Sequence, residues 1–157
     1  MRYARCVAVL IGLSIVPAGC SRPKGTSDFM TDFQRMQGAW KVEKLEQDGE
    51  RAADASLLKM IIIKGDRFTF RYYLPRSKKY GDLVDRFTLD SSQTPRRIET
   101  KSSEDGSLLV GIYELEADTL KVCWNRADPR KPPADFTCSK GSNRRLLVLK
   151  RAQSKPR

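Results

Sequence analysis

Histidine is absent from this chain of 157 residues. Its absence excludes the Ser-His-Asp and Cys-His forms of nucleophilic catalysis, and also zinc sites with histidine ligands. It removes the side chain best suited to proton transfer near neutral pH. The chain also lacks a nucleophile elbow, a phosphate-binding glycine loop and a cluster of metal-ligating residues. We therefore expect no enzyme, no catalytic residue, no metal and no cofactor.

A long hydrophobic run is also missing. The apolar stretch from Val7 to Val16 is about half as long as a transmembrane helix needs to be. Arg2 and Arg5 precede it and small residues follow it, an order typical of an export signal that is cleaved. We predict a signal peptide over residues 1–19, whose removal lowers the formal net charge from +11 to +9 because Arg2 and Arg5 are lost.

Two cleavage positions fit the end of this signal. Ala18, Gly19 and Cys20 resemble the bacterial lipoprotein box, in which the cysteine receives lipid and begins the mature chain. Pro17 departs from that box, which usually has an aliphatic residue there. We expect lipidation of Cys20, a flexible tether over residues 20–27 and attachment to the cell envelope. The alternative is ordinary signal-peptidase cleavage, which would leave a soluble secreted or periplasmic protein.

Cysteine is scarce beyond Cys20, where only Cys123 and Cys138 occur. In an oxidising compartment these two could close a loop of about 16 residues, with a stabilisation on the order of 3 kcal/mol. Strand alternation opposes the bridge, because Cys123 shares a face with Lys121 and Cys138 shares one with Phe136. The sequence leaves both outcomes open.

The periodicity of apolar residues predicts one short helix followed by strands. Three- and four-residue spacing indicates an amphipathic helix over residues 27–36, and Ala55 to Leu58 could form one further helical turn. A ninth strand around Asp135 to Cys138 remains open. The eight predicted strands alternate with turn residues: Ala39–Gln47, Met60–Lys64, Arg67–Leu74, Leu83–Asp90, Arg96–Lys101, Leu108–Leu115, Thr119–Asn125 and Leu146–Arg151.

Alternation along these strands places apolar residues on a single face. Eight antiparallel strands with one apolar face are best closed into a barrel, because closure removes the exposed edges. We predict a single all-β domain over residues 28–151, an eight-stranded up-and-down barrel with a short N-terminal helix, followed by a basic tail at residues 152–157. The predicted interior comprises Trp40, Val42, Ile61, Ile63, Phe68, Phe70, Tyr72, Phe87, Leu89, Ile98, Tyr113, Leu115, Leu120, Val122, Trp124, Leu147 and Leu149.

An ordered series of motifs resembles a family of small exported domains of unknown function that is abundant in planctomycete bacteria. The series covers nearly all of residues 36–151, and the resemblance implies a lipocalin-like barrel with no established activity. The motifs are Gly38-Ala39-Trp40, Gly65-Asp66-Arg67-Phe68-Thr69, Gly111-Ile112-Tyr113-Glu114-Leu115, Asp118-Thr119-Leu120-Lys121-Val122-Cys123 and Leu147-Val148-Leu149-Lys150-Arg151.

Lipocalins share the Gly-x-Trp sequence on their first strand after a short helix. In them the tryptophan closes one end of the barrel, and a cationic side chain of the final strand packs across it. The resemblance implies that Trp40 forms such a plug with Lys150 or Arg151.

A barrel of eight strands is wide enough to be filled by side chains or to hold one small ligand. Alternation also points Asp85 inward, either into water at the mouth or towards a polar group of a ligand. If a ligand cavity exists, we expect an apolar or amphipathic ligand. Its predicted lining is Phe68, Phe70, Tyr72, Asp85, Phe87, Tyr113 and Trp124.

The basic surplus favours anionic partners. Arg76 to Lys79 and Arg126 to Lys131 lie in apparent loops, without a recognisable nucleic-acid motif. The sequence therefore supports two functions: a carrier or sensor that binds a small molecule in the barrel, or a solid barrel whose basic loops contact an envelope protein or anionic polymer. Contact with a membrane face fits the same charge, whereas specific nucleic-acid binding is not expected.

Overall fold

A computed structural model describes residues 32–153 of the chain. The predicted signal peptide at 1–19, the predicted tether at 20–27 with Cys20, and residues 154–157 of the predicted tail lie outside the described residues. The first part of the predicted helix, residues 27–31, lies outside them as well. Among residues 32–153, no helix has the length and apolar character that crossing a bilayer requires.

The described chain consists of one short helix and nine strands. The helix α1 spans residues 32–36, the part of the predicted helix that falls within the described range. The strands are β1 Gly38–Gln47, β2 Glu50–Arg51, β3 Leu58–Lys64, β4 Arg67–Leu74, β5 Lys79–Asp90, β6 Arg97–Ser102, β7 Leu108–Glu116, β8 Thr119–Asn125 and β9 Arg144–Arg151.

The strands form a closed antiparallel barrel. From β3 to β9 each strand pairs with the next in sequence, and β1 pairs with both β3 and β9. The pairing of β1 with β9 runs from Trp40 opposite Arg151 to Gln47 opposite Arg145. The predicted eight-stranded barrel is confirmed, and β2 is an additional short strand attached to the end of β1.

Strand β5 is longer than the sequence predicted, since it begins at Lys79 and not at Leu83. The β4–β5 hairpin continues in register to Leu74 opposite Lys79, and the rings of Tyr73 and Tyr80 meet with their centroids 5.6 Å apart. This end of the hairpin is exposed. A strand that is solvated on both faces carries no alternating pattern, so the sequence does not reveal it.

The ninth strand that the sequence left open around Asp135 to Cys138 does not form. A closed barrel has no free edge at β8 or β9, because each of these strands already has two neighbours. The segment lies instead on the outside of the barrel, where Phe136 and Cys138 pack against Ile112, Cys123 and Leu146.

The barrel interior contains the predicted set of apolar residues. Most of its members are buried in one cluster, with Val42, Phe70 and Tyr72 half-buried against it. Four buried members that the alternation pattern did not predict are Met36, Leu45, Ala52 and Leu58. Leu45 enters because the register of β1 shifts between Val42 and Lys44, a bulge that moves the inward position by one residue.

One end of the barrel is closed by Trp40 and Arg151. Trp40 is fully buried and its Nε1–H donates to the carbonyl oxygen of Met36 at 2.8 Å. The guanidinium carbon of Arg151 lies 4.2 Å from the centroid of the Trp40 ring, and its nitrogens donate to the carbonyl oxygens of Gln37 at 3.0 Å and Arg35 at 2.6 Å. Gly38 has a φ of 121°, a conformation that favours glycine.

Lys150 takes no part in this plug. It is exposed, and its ammonium lies 3.3 Å from the hydroxyl oxygen of Thr119. Of the two cationic candidates that the lipocalin resemblance implies, Arg151 is the one placed over Trp40.

Replacing Arg151 by alanine should lower the free energy of unfolding by about 1–3 kcal/mol, because the cation–π contact and two hydrogen bonds to backbone carbonyls are lost. Lys150→Ala is the matched control from the neighbouring position, with an expected loss below about 0.5 kcal/mol. Urea unfolding followed by tryptophan fluorescence measures both variants. Equal losses would contradict the assignment of Arg151 as the partner of Trp40.

Candidate functional site

The closed end of the barrel is filled by aromatic side chains. Phe68, Phe87 and Tyr113 are each at most 2% exposed, and the ring of Phe33 on α1 stacks on Phe87 with the centroids 5.6 Å apart. Phe68 and Phe87 meet edge to face at 6.0 Å. These three predicted lining residues therefore pack in the interior at this end and do not line the cavity at the other end.

A buried carboxylate fixes Tyr113 at this end. Asp32 is 3% exposed and accepts a hydrogen bond from the Tyr113 hydroxyl at 2.9 Å, while the Arg96 guanidinium lies 2.7 Å from the same carboxylate oxygen. Burial and this hydrogen bond raise the pKa of Tyr113 well above its ordinary value, so that the hydroxyl remains a neutral donor. Asp32 thereby joins α1 to the barrel wall.

The opposite end of the barrel is open and holds a cavity of about 350 Å³. Four of the predicted lining residues, Phe70, Tyr72, Asp85 and Trp124, lie on its wall. The remaining lining residues come from the inner face of the strands and from the loops at this end: Asp54, Leu83, Thr100, Ser107, Leu108, Leu109, Arg126, Pro129 and Arg145.

Trp124 reaches across the cavity wall because its neighbour on β7 is a glycine. Gly111 lies directly opposite Trp124 in the register. A Cβ atom at Gly111 would lie 2.8 Å from Cδ1 of the indole and 2.6 Å from the carbonyl oxygen of Cys123, closer than packed atoms allow. The missing side chain of Gly111 therefore allows the indole to lie against β7.

Two buried polar atoms of the cavity wall lack a hydrogen-bond partner. They are Oδ1 of Asp85 and Nε1 of Trp124. Among residues 32–153, these two are the buried side-chain nitrogen or oxygen atoms that have no hydrogen-bond partner. An unpaired polar atom buried in an apolar wall costs about 1–3 kcal/mol. The open end of the barrel therefore presents one acceptor and one donor that the protein itself leaves unsatisfied.

The electrostatic environment of Asp85 opposes its ionisation. Burial is the main reason that the pKa of Asp85 lies above its ordinary value, and the carboxylates of Glu104 and Asp105 raise it further. A backbone hydrogen bond from Ser103 acts in the opposite direction. The β6–β7 turn thus gives this side of the cavity a negative potential.

Basic residues line the other side of the mouth. Arg145 pairs with Asp54 at 2.6 Å, the Tyr72 hydroxyl lies 3.4 Å from the same Asp54 oxygen, and Arg126 donates to Oε1 of Gln47 at 3.1 Å. Arg145 could have been predicted as an inward residue by extending the alternation of β9 back by two positions. Asp54 lies in a turn, where no periodic pattern marks it.

A larger groove of about 610 Å³ lies outside the barrel, beneath the proline-containing loop. Arg97, Lys131 and Arg144 contribute its basic side chains. Arg144 is already paired with Asp135 at 2.5 Å, and hydrogen bonds from Thr137 and then Arg144 lower the pKa of Asp135 to about 2. Neither buried polar atom without a partner lies in this groove, so we regard the smaller cavity inside the barrel as the candidate site.

Cys123 and Cys138 are both free thiols. Cys123 is fully buried on the outer side of β8, and Cys138 packs against the same apolar cluster, with its sulfur 3.3 Å from the carbonyl oxygen of Arg144. Burial raises the pKa of the Cys123 thiol to about 11. Within the described part of the chain, no three cysteine or carboxylate side chains group as metal ligands do.

No protein family, curated protein or solved structure matches this chain. The resemblance to planctomycete exported domains, drawn from the motifs between residues 36 and 151, therefore stays a prediction.

Iodoacetamide at pH 8 should label Cys138 faster than Cys123, because burial shields the Cys123 thiol and keeps it protonated. Peptide mapping after brief labelling gives the two rates. Labelling in urea serves as the control, since unfolding exposes both thiols and should bring the rates together. Equal rates in the native protein would contradict the packing of Cys123 beneath the loop.

Proposed function

We propose that this protein is exported, held at the cell envelope by a lipid on Cys20, and binds a small apolar or amphipathic molecule in the open end of its barrel. The observation that carries the ligand-binding part is the cavity of about 350 Å³ with two unpartnered buried polar atoms in its wall. The export part rests on the sequence of the first twenty residues.

The chemistry of the cavity supports an amphipathic ligand. Phe70, Leu83 and Leu109 supply an apolar wall, while Asp85 and Trp124 each supply one polar atom. Sites for small molecules typically combine a mostly apolar lining with a few polar groups that orient the ligand. A ligand that paired with these atoms would remove the free-energy cost of leaving them without a hydrogen bond.

A second candidate function rests on the exposed basic loops. Arg76, Lys78 and Lys79 lie in and beside the β4–β5 turn, and Arg126, Arg130 and Lys131 lie in the β8–β9 loop. An anionic envelope polymer or protein bound there would dissociate more readily as ionic strength rises. This function requires no cavity, so the cavity favours the first proposal.

The uncharged fluorophore Prodan should bind in the cavity, where its ketone oxygen can accept a hydrogen bond from the N–H group of Trp124. The double variant Leu83→Trp, Leu109→Trp places two indoles in the cavity and should weaken binding by about tenfold or more, equivalent to about 1.4 kcal/mol. The blue shift of Prodan emission and energy transfer from tryptophan measure the affinity.

Tyr113→Phe is the matched control for this experiment. It alters a residue that the sequence predicted in the lining but that the structure places at the closed end, so Prodan affinity should stay within about twofold. Its stability should fall by about 1–2 kcal/mol through loss of the hydrogen bond to Asp32. An unchanged affinity in the double variant would overturn binding inside the barrel.

Metabolic labelling with a palmitate analogue in a bacterial host tests the anchor. The wild-type chain should carry the label and sediment with membranes, whereas Cys20→Ser should carry none. Cys138→Ser controls for acylation of other thiols and should retain the label. Equal labelling of the wild type and Cys20→Ser, or labelling of neither, would contradict lipidation at Cys20.

A further inference from the structure

The two sides of the cavity mouth differ in how much charge they leave available. Arg145 is paired with Asp54 at 2.6 Å, so its charge is largely compensated. Arg126 on the same side has only the neutral Gln47 as its hydrogen-bond partner, but it is exposed, so that solvent screens its charge. Asp85 has no cationic partner within residues 32–153, and the neighbouring turn adds the carboxylates of Glu104 and Asp105. The uncompensated charge next to the buried acceptor is therefore negative.

We infer that the ligand of the cavity is a small amine with an apolar body, bound as its ammonium ion against Asp85. This inference rests on the proposed ligand-binding function and specifies its ligand class. An ammonium ion beside Asp85 would favour the ionised carboxylate, against the burial and the neighbouring carboxylates that oppose its ionisation. An ionised carboxylate only accepts hydrogen bonds, so the unpartnered Oδ1 would then take the ammonium group as its donor.

An ammonium donor suits this position better than a hydroxyl. A hydroxyl would satisfy the acceptor but leave the buried negative charge uncompensated, whereas an ammonium ion supplies the donor and the counter-charge together. Hydrogen bonds between ionised partners are about twice as strong as those between neutral ones. The carboxylates of Glu104 and Asp105 add a longer-range attraction for a cation.

The rest of the cavity fits the apolar body of such a molecule. Phe70, Leu83 and Leu109 provide contact surface beyond Asp85, in a volume of about 350 Å³. Nε1 of Trp124 is a donor and cannot pair with the ammonium group. This N–H group can donate to an acceptor elsewhere on the ligand, such as an ether or carbonyl oxygen.

The test compares hexylamine, 1-hexanol and hexanoate, which share a six-carbon body and differ in the polar group. Isothermal titration of the full chain at neutral pH gives the three affinities. Hexylamine should bind about tenfold tighter than 1-hexanol, and hexanoate should bind most weakly because its charge repels Asp85.

The variant Asp85→Asn keeps the shape of the side chain and removes its charge. It should weaken hexylamine binding by about tenfold and change 1-hexanol binding by less than about threefold. Glu104→Gln is the matched control, since it removes an exposed negative charge from the same turn and should weaken hexylamine binding by less than about threefold. A retained affinity for Prodan would show that the cavity of each variant is intact.

Three results would overturn the amine inference: equal affinities for hexylamine and 1-hexanol, tighter binding of hexanoate, or no binding of any of the three while Prodan still binds. Each of these leaves ligand binding in the barrel standing. Failure of Prodan as well as all three hexyl compounds to bind would overturn the proposed function itself.

Discussion

The pairing of β1 with β9 is the constraint on which the rest of the structure depends. It joins the first and last long strands from Trp40 opposite Arg151 to Gln47 opposite Arg145, and it converts a sheet into a barrel. Closure pairs the backbone groups that edge strands would expose, and it sets an interior that inward side chains must fill. Because β8 and β9 each have two neighbours, the segment from Asp135 to Cys138 packs on the outside and buries Cys123 there.

The two ends of the barrel interior differ in how completely side chains fill them and pair their polar groups. At the closed end, the aromatic rings, α1 and the guanidinium of Arg151 fill the space, and the buried Asp32 is compensated by Tyr113 and Arg96. At the open end, Oδ1 of the half-buried Asp85 and the N–H group of Trp124 are buried and have no hydrogen-bond partner among residues 32–153. A barrel selected for stability alone would carry an apolar residue in place of Asp85, because a buried carboxyl oxygen without a hydrogen-bond partner is costly. This contrast is the physical reason to place a function at the open end.

Much of the fold could be predicted from alternation alone. Apolar residues such as Ile61, Phe68 and Leu149 recur at every second position of their strands, because one face of each strand packs in the core and the other faces water. Where both faces are solvated, as at the start of β5, the period disappears and the strand was missed. The bulge after Val42 was missed as well, since one extra residue changes which side chains point inward without changing composition.

The sequence by itself determined the strand order, most of the inward positions and four of the thirteen residues of the cavity wall, namely Phe70, Tyr72, Asp85 and Trp124. These follow from short-range periodicity, which any strand with one buried face must obey. Only the tertiary structure decided that Phe68, Phe87 and Tyr113 fill the interior while Trp124 and Asp85 border open space. It alone also showed that Arg151 and not Lys150 covers Trp40 and that Arg145 is paired with Asp54. Those outcomes depend on how side chains from distant strands share a fixed volume, which no local pattern records.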